Sequence, residues 1–185
     1  MLFRSGRDFI EFCTNEIFHP LKMKSTAIRT LEQKAAIKNF ALGHIFIPEK
    51  NDYIRADSFP SSNYTIWLGN RKGPGRISST VEDLLKWDQA LYSGKLIQPT
   101  TLAQAFTPMT LTTGKISNYG FGWELIPQDN IVWHNGDNPG YKTIIVRFLE
   151  NKATLIMLCN NASAEFEKDR KSTRLNSSHL VISYA

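Results

Sequence analysis

One histidine stands inside the stretch WHNGDNPGYK, which covers residues 133–142. Imidazole changes its charge near neutral pH more readily than other side chains, so His134 is a candidate for proton transfer or anion binding. The apolar residues Ile131–Trp133 predict a buried strand before it, and Pro139-Gly140 predicts a turn after it. We therefore predict that this strand ends at His134 and restarts after Gly140, with the histidine at a strand edge beside a cleft.

The composition predicts one globular domain. The chain has 185 residues, of which 42% are hydrophobic and 11% aromatic, enough to bury one core. No segment approaches the roughly 18 consecutive apolar residues of a membrane span. The net charge is +5, but the basic residues are scattered, which argues against a nucleic-acid partner. Cys13 and Cys159 lack a metal-ligand spacing and are predicted to pack in the core, so the cysteines do not indicate a zinc site.

Helical spacing is typical of the first half of the chain. Apolar residues from Phe9 to Ile17 predict a helix over 5–19, and Pro20 ends it. A short strand is predicted within Phe40–Ile47, followed by a long loop over 48–76. A second helix is predicted over 80–93, with a capping box at Ser79–Glu82 and a buried stripe of Leu84, Trp87 and Leu91. A short third helix is predicted over 99–106.

The second half of the chain has residue patterns that are typical of strands. Tyr119–Leu125 alternates with glycines, and three further segments are rich in β-branched and apolar residues, namely Ile131–His134, Tyr141–Leu149 and Ala153–Asn160. Helices followed by consecutive strands predict an α+β fold with an antiparallel sheet and flanking helices.

The tail from Asp169 onward differs from the rest of the chain. It is rich in serine and has neither helical nor strand periodicity, which is typical of a disordered terminus. Asp169–His179 and Ile182–Ala185 also resemble the in-frame translation of a sequencing-library adapter. We therefore divide the chain into one domain over 1–168 and a non-native or disordered tail over 169–185.

Three stretches together resemble the serine β-lactamase and penicillin-binding-protein superfamily, in its class C-like, β-lactamase-related branch. The first is IFHPLKMKST (Ile17–Thr26), the second GPGRISSTVEDLLKWDQALYSGKLI (Gly73–Ile97), and the third YGFGWEL followed by WHNGDNPGY. Their order and spacing match as well, across roughly residues 5–165. The resemblance implies the C-terminal part of a β-lactamase/transpeptidase-like fold. It also implies a bacterial parent protein that acts in the periplasm or outside the cell.

The resemblance further implies an enzyme that attacks an amide or ester carbonyl with an activated serine, without a metal or organic cofactor. His134-Asn135-Gly136 matches the family's third motif, which implies catalytic positions at His134, Gly136 and Asp137. Gly136 would let a substrate approach closely, and the Asp137 N–H would be an oxyanion donor. The Asp137 carboxylate could also orient His134 or cap the turn before Pro139. Asn135 is a candidate for substrate binding.

Two aromatic residues of the long loop, Trp67 and Tyr64, are further candidates for substrate binding. They could line a cleft or pack the loop against itself. The predicted partner is a small-molecule or peptide substrate, with no nucleic acid and no membrane span in this chain.

Two expected motifs are absent from the sequence. No serine has a lysine three residues later, and no Tyr-x-Asn occurs. Ser61-Ser62-Asn63 fits Ser-x-Asn but follows IFHPLKM instead of preceding it. One explanation is a fragment of a serine hydrolase without its nucleophile region, which would be inactive alone. The alternative is a non-catalytic binding module of the same fold, for a peptidoglycan-like peptide or a protein partner.

Overall fold

The computed structural model describes residues 5–58, 73 and 75–162. Its helices are α1 (Phe9–Cys13, continued as a π-helix over Thr14–Phe18), α2 (Leu31–Ala35), α3 (Val81–Tyr92) and α4 (Pro99–Ala105). Short 3-10 turns lie at Pro48–Lys50, Ala56–Ser58 and Pro127–Asp129. The strands are β1 (Ala27–Ile28), β2 (His44–Ile47), β3 (Asp52–Arg55), β4 (Ile77–Ser78), β5 (Met109–Thr110), β6 (Ile116–Ser117), β7 (Glu124–Ile126), β8 (Ile131–Asn138), β9 (Tyr141–Phe148), β10 (Ala153–Cys159) and β11 (Asn161–Ala162).

The largest described sheet is antiparallel and has the order β10-β9-β8-β7. Its strands are consecutive in the chain, so each pairs with its sequence neighbour. A smaller sheet has the order β11-β2-β3, and two further pairs join β1 to β4 and β5 to β6. The predicted α+β layout is confirmed, since α3 and α4 pack against one face of the four-stranded sheet through Leu91, Ala105 and Val132.

The predicted helices are confirmed, with shifted boundaries. α1 begins after Asp8, whose carboxylate accepts from the backbone N–H of Ile10 at 2.9 Å. α3 begins after Thr80, whose hydroxyl accepts from the N–H of Asp83. Thr80 rather than Ser79 is therefore the N-cap, and the predicted capping box at Ser79–Glu82 is wrong.

The buried side of α3 differs from the predicted apolar stripe. Leu91 is buried, whereas Leu84 and Trp87 are only half-buried. Two aspartates are as deeply buried as Leu91, because Asp83, Asp88 and Leu91 are each 2% exposed. The apolar period did not indicate them, since their burial depends on partners far away in the sequence.

A buried ion pair attaches α3 to the sheet. The Nε of Arg147 on β9 donates to Asp88 at 2.6 Å, and the Thr154 hydroxyl on β10 donates to the same carboxylate at 2.8 Å. The Arg147 guanidinium also lies 4.4 Å from the ring centre of Tyr92. This pair, which is buried together with aromatic rings, fixes where α3 crosses β9 and β10.

The predicted break in the strand at His134 is wrong. β8 continues through His134, Asn135 and Gly136 to Asn138, and every residue of β8 has a partner on β9. Pro139 and Gly140 form a two-residue turn, in which Gly140 has φ +78°. This arrangement is typical of a type II turn, where proline fixes the first central position and glycine permits the second.

The predicted long loop over 48–76 contains a strand. β3 pairs with β2 in register from His44↔Arg55 to Ile47↔Asp52. Its sequence DYIR carries charged residues at both ends, because β3 is an edge strand that faces solvent. Of the rest of this segment, residues 59–72 and 74 lie outside the described residues.

The tip of the β8–β9 hairpin packs against the segment before β2. A Cβ at Gly140 would lie 2.6 Å from the carbonyl carbon of Gly43 and 2.7 Å from the backbone nitrogen of His44. The hydroxyl of Tyr141 donates to the carbonyl of Ala41 at 2.9 Å. Burial raises the pKa of the Tyr141 hydroxyl, so it acts as a neutral donor there. The end of β8 is thus held in place by the smaller sheet.

Across the part of the chain that the structure describes, no helix has the length and apolar character of a membrane span. Within the same residues, no three His, Cys, Asp or Glu side chains are grouped closely enough to hold a metal ion. The predicted tail, 169–185, lies outside the described residues.

Candidate active site

His134 lies in the middle of β8 with its side chain exposed. It pairs with Ile145 on β9, whose side chain packs against the cluster beneath α3 and α4. The imidazole is therefore on the helical side of the sheet, just beyond the buried residue Val132. The phenol oxygen of Tyr119 lies 3.4 Å from His134 Nε2.

A tight turn in YGFGW places Tyr119 beside the histidine. The N–H of Gly120 donates to the carbonyl of Trp123 at 2.8 Å, and the N–H of Phe121 donates to the carbonyl of Ala105 at 3.2 Å. A Cβ at Gly120 would overlap the Ala105 carbonyl oxygen, so only glycine permits this contact with α4. The predicted strand over Tyr119–Leu125 is thus mostly a turn that precedes β7.

Trp123 anchors this turn in the core, where its side chain is buried. Its ring stacks on Trp87 at 6.2 Å and meets the edge of Phe106 at 5.7 Å. The sequence did not identify Tyr119 as a site residue. The only signal for it was its place in YGFGW, because a contact across 15 residues leaves no local pattern.

The edge of β8 that faces away from β9, here called its outer edge, is paired with β7 only before His134. β7 pairs with β8 only as far as Glu124↔Trp133, while β9 continues to pair up to Asn138. Within the described residues, no strand pairs with the edge of 134–138 that faces away from β9. This short length of strand can therefore offer backbone groups to a ligand.

The alternation of hydrogen bonding along the β8–β9 hairpin shows which backbone groups of β8 face the outer edge. Asn138 and Tyr141 close the two-residue turn and form a hydrogen-bonded pair. Hydrogen-bonded and non-hydrogen-bonded pairs alternate along an antiparallel ladder. Asp137 and Asn135 therefore belong to non-hydrogen-bonded pairs with β9, and their N–H and C=O groups point to the outer edge.

The side chain of Asp137 does not reach His134. Positions 134 and 137 lie on opposite faces of β8, because side chains alternate along a strand. The Asp137 carboxylate instead forms an ion pair with Lys142, its register partner. Its predicted role in orienting the histidine is wrong, whereas the predicted role of its backbone N–H does not depend on the carboxylate.

The presence of glycine at position 136 has a structural explanation that the sequence did not indicate. A Cβ at this position would overlap the Oγ1 of Thr143, its register partner on β9. Glycine is thus required by the neighbouring strand, and close approach of a substrate remains a prediction. Asn135 is half-buried beside Ile144, on the face opposite His134. The two other predicted substrate contacts, Trp67 and Tyr64, lie outside the described residues.

Comparisons with known proteins agree with this architecture. The family described as β-lactamase matches residues 4–177. Penicillin-binding protein 4* of Bacillus subtilis (strain 168) is 33% identical over 170 residues, which cover 89% of this chain and 38% of that protein. The chain therefore spans well under half of this relative's length.

Solved structures show the same fold. The octameric penicillin-binding protein homologue from Pyrococcus abyssi gives a TM-score of 0.69 at 20% identity, covering 93% of this chain and 39% of that one. A D-stereospecific amidohydrolase from Streptomyces gives 0.63 at 17% identity, covering 91% and 48%. The fold is thus that of the β-lactamase and penicillin-binding-protein superfamily, and the chain belongs to the β-lactamase family.

Proposed function

We propose that this chain forms one wall of the active site of a serine hydrolase that cleaves an amide or ester bond. The observation that carries the proposal is the outer edge of β8. It begins where β7 stops, presents the outward N–H of Asp137, and lies beside the exposed imidazole of His134. Two similar proteins support this reaction, since one is a penicillin-binding protein and the other a D-stereospecific amidohydrolase, and penicillin and amidohydrolase substrates both contain an amide.

In the proposed reaction, a serine hydroxyl adds to the substrate carbonyl and transfers its proton to a base. The negative charge that develops on the carbonyl oxygen is stabilised by the Asp137 N–H, at a gain of about 3–4 kcal/mol. The amine or alcohol leaves with a proton, and water then releases the acyl group from the serine. An N–H of His134 donates to a polar group of the substrate and aligns it along β8.

The nucleophile is proposed to lie in a segment other than these 185 residues, since Ser-x-x-Lys does not occur in them. We expect the chain alone to show no burst of product with a chromogenic β-lactam or a p-nitrophenyl ester. A burst equal in amount to the protein would contradict this, because it would show that the chain contains its own nucleophile.

A chimera gives the positive test. The part of penicillin-binding protein 4* that aligns with this chain is replaced by the chain, and acylation by a fluorescent penicillin is measured. We expect labelling by the chimera and at least tenfold slower labelling by its His134→Ala form, while His19→Ala, a control histidine outside β8, keeps the chimera's rate. If the His134→Ala chimera is labelled at the unaltered rate, with both chimeras melting at the same temperature, the role of His134 is refuted.

A binding module without catalysis is the second candidate. The missing Ser-x-x-Lys favours it, because the open edge of β8 could bind an extended peptide without a nucleophile. In the chimera experiment, this candidate predicts a protein that folds but is never labelled. In a binding assay with the chain alone, it predicts peptide binding that is weakened by His134→Ala.

A further inference from the structure

We propose that Tyr119 is a positioning residue for His134, which fixes the tautomer of its neutral imidazole. The phenol hydroxyl donates to Nε2, so the ring proton resides on Nδ1 and remains available to a ligand. The consequence for catalysis rests on the proposed function, whereas the tautomer itself does not.

The geometry of the pair favours a hydrogen bond over ring stacking. The two ring centroids lie 6.5 Å apart with an interplanar angle of 61°, so the rings meet edge to face. The atoms that approach each other are the hydroxyl oxygen and Nε2, at 3.4 Å. Within the described residues, neither side chain has another hydrogen-bonding partner. At 3.4 Å the contact is long for a hydrogen bond, and because both side chains are exposed, it forms in competition with solvent.

The direction of the bond follows from acidity. A neutral imidazole has one donor and one acceptor nitrogen, while a phenol can donate and accept. Phenol, with a pKa of about 10, is a stronger acid than a neutral imidazole N–H, and an imidazole nitrogen is a stronger base than a phenol oxygen. Donation from Tyr119 to Nε2 is therefore the stronger arrangement. The nitrogen that carries the proton is set by the bond that the other nitrogen makes.

The backbone, not the tyrosine ring, holds the turn in place. Phe121 N–H bonds to the Ala105 carbonyl, and Leu125 N–H bonds to the Asn118 carbonyl at 2.8 Å. The side chain of Tyr119 is 44% exposed. Replacement by phenylalanine therefore removes the hydroxyl and leaves the turn and the core unchanged, which makes a clean test available.

The test measures the ring nitrogens of His134 by ¹⁵N NMR in the uniformly labelled 185-residue chain at a pH where histidine is neutral. His134 signals are assigned by their loss in His134→Gln. We expect Nε2 to show the shift of an unprotonated nitrogen and Nδ1 that of a protonated one. In Tyr119→Phe, we expect a shift toward the Nε2–H form that predominates in free histidine.

Tyr53→Phe is the matched control, because Tyr53 is a comparably exposed tyrosine on β3, paired with Phe46. It should leave the His134 pattern unchanged, and His44 serves as an internal reference in all samples. If Tyr119→Phe leaves the His134 tautomer unchanged, the proposal is overturned. A chimera that shows no acylation would count against the proposed function only, because the tautomer is measured without any substrate.

Discussion

Gly136 and Thr143 face each other across β8 and β9, and the missing side chain of the glycine gives the threonine hydroxyl its place. The same residue was expected from the sequence to admit a substrate. Both roles require the absence of a Cβ, but they predict different responses to a second substitution on the neighbouring strand.

We expect Gly136→Ala to lower the free energy of unfolding by about 1–3 kcal/mol, because the new methyl group overlaps the Thr143 Oγ1. Adding Thr143→Ala removes that oxygen and should restore most of the loss. Thermal and urea denaturation of the single and double variants measure this. Equal stability of Gly136→Ala and the unaltered chain would show that the strands adjust without cost.

At the residue scale, the signal for His134 was local, because an apolar strand delivers one imidazole to a turn-rich segment. Its role in a site stays a prediction. Tyr119 was missed because its hydroxyl reaches the histidine only after YGFGW folds onto Ala105. For the carboxylate of Asp137, the sequence left two roles open, and the alternation of side chains along β8 excludes one of them, the orientation of His134.

Helix α3 is joined to its surroundings by two buried aspartates. Asp83 accepts hydrogen bonds from the backbone N–H of Ser25 at 2.7 Å and from the hydroxyl of Thr26 at 2.9 Å. The ammonium of Lys86 donates to the other oxygen at 2.6 Å. Asp83 thus joins the first turn of α3 to the segment that follows α1, much as Asp88 joins the middle of α3 to the sheet.

We expect Asp83→Asn to cost about 1.5–3 kcal/mol at pH 7, since hydrogen bonds to a charged acceptor are lost. Burial acts to raise the pKa of Asp83, but the bonds from Lys86, Ser25 and Thr26 outweigh it and hold the pKa below its ordinary value of 3.8. The charged form therefore stabilises the fold above that value, and its contribution is lost as the pH falls through the lowered pKa.

The stability difference between the unaltered chain and Asp83→Asn should accordingly shrink as the pH falls from 7 to below 3.8. Urea denaturation at several pH values measures it. Glu150→Gln is the control, because Glu150 is an exposed acid outside α3, and it should change stability little. A difference that does not vary with pH would show that the Asp83 charge is unimportant.

The ion pair between Asp88 and Arg147 leads to a separate prediction. Asp88→Ala should cost about 3–5 kcal/mol, because it leaves the fully buried guanidinium without its carboxylate. The double variant Asp88→Leu with Arg147→Met should recover most of this loss, since neither charge remains. Glu16→Gln, which removes an exposed ion pair with Arg7, should change stability by less than about 1 kcal/mol. If Asp88→Ala lowers the free energy of unfolding as little as Glu16→Gln does, this prediction is contradicted.

The elements themselves were largely predictable. The strands β9 and β10 and the helix α3 have long periodic segments, so their type and approximate bounds were predicted correctly, whereas β8 extends beyond its predicted end at His134 to Asn138. β3 was missed because an exposed edge strand such as DYIR has little apolar alternation. The two aspartates were missed because helical periodicity reports apolar residues and does not report buried acids that have distant partners.

At the scale of the whole molecule, the hairpin of β8 and β9 contacts the segment before β2, the helices α3 and α4, and the neighbouring strands β7 and β10. Its tip packs on Gly43, its inner face packs beneath α3 and α4, and Arg147 bonds to Asp88. The composition predicted one domain over 1–168, and this division stays a prediction. The tip contact was not predictable, because a glycine against a glycine leaves no pattern of charge or hydrophobicity.

The short connections within this sheet have a kinetic consequence. β7 to β10 follow one another through short turns, so their pairing closes only short loops, whereas Asp83 must find Ser25 across 58 residues. Closing long loops costs more entropy, and local contacts form first. In pulsed hydrogen exchange during refolding, the amides of β8 and β9 should become protected before that of Ser25. The wall that carries His134 would then be in place before the helices attach to it.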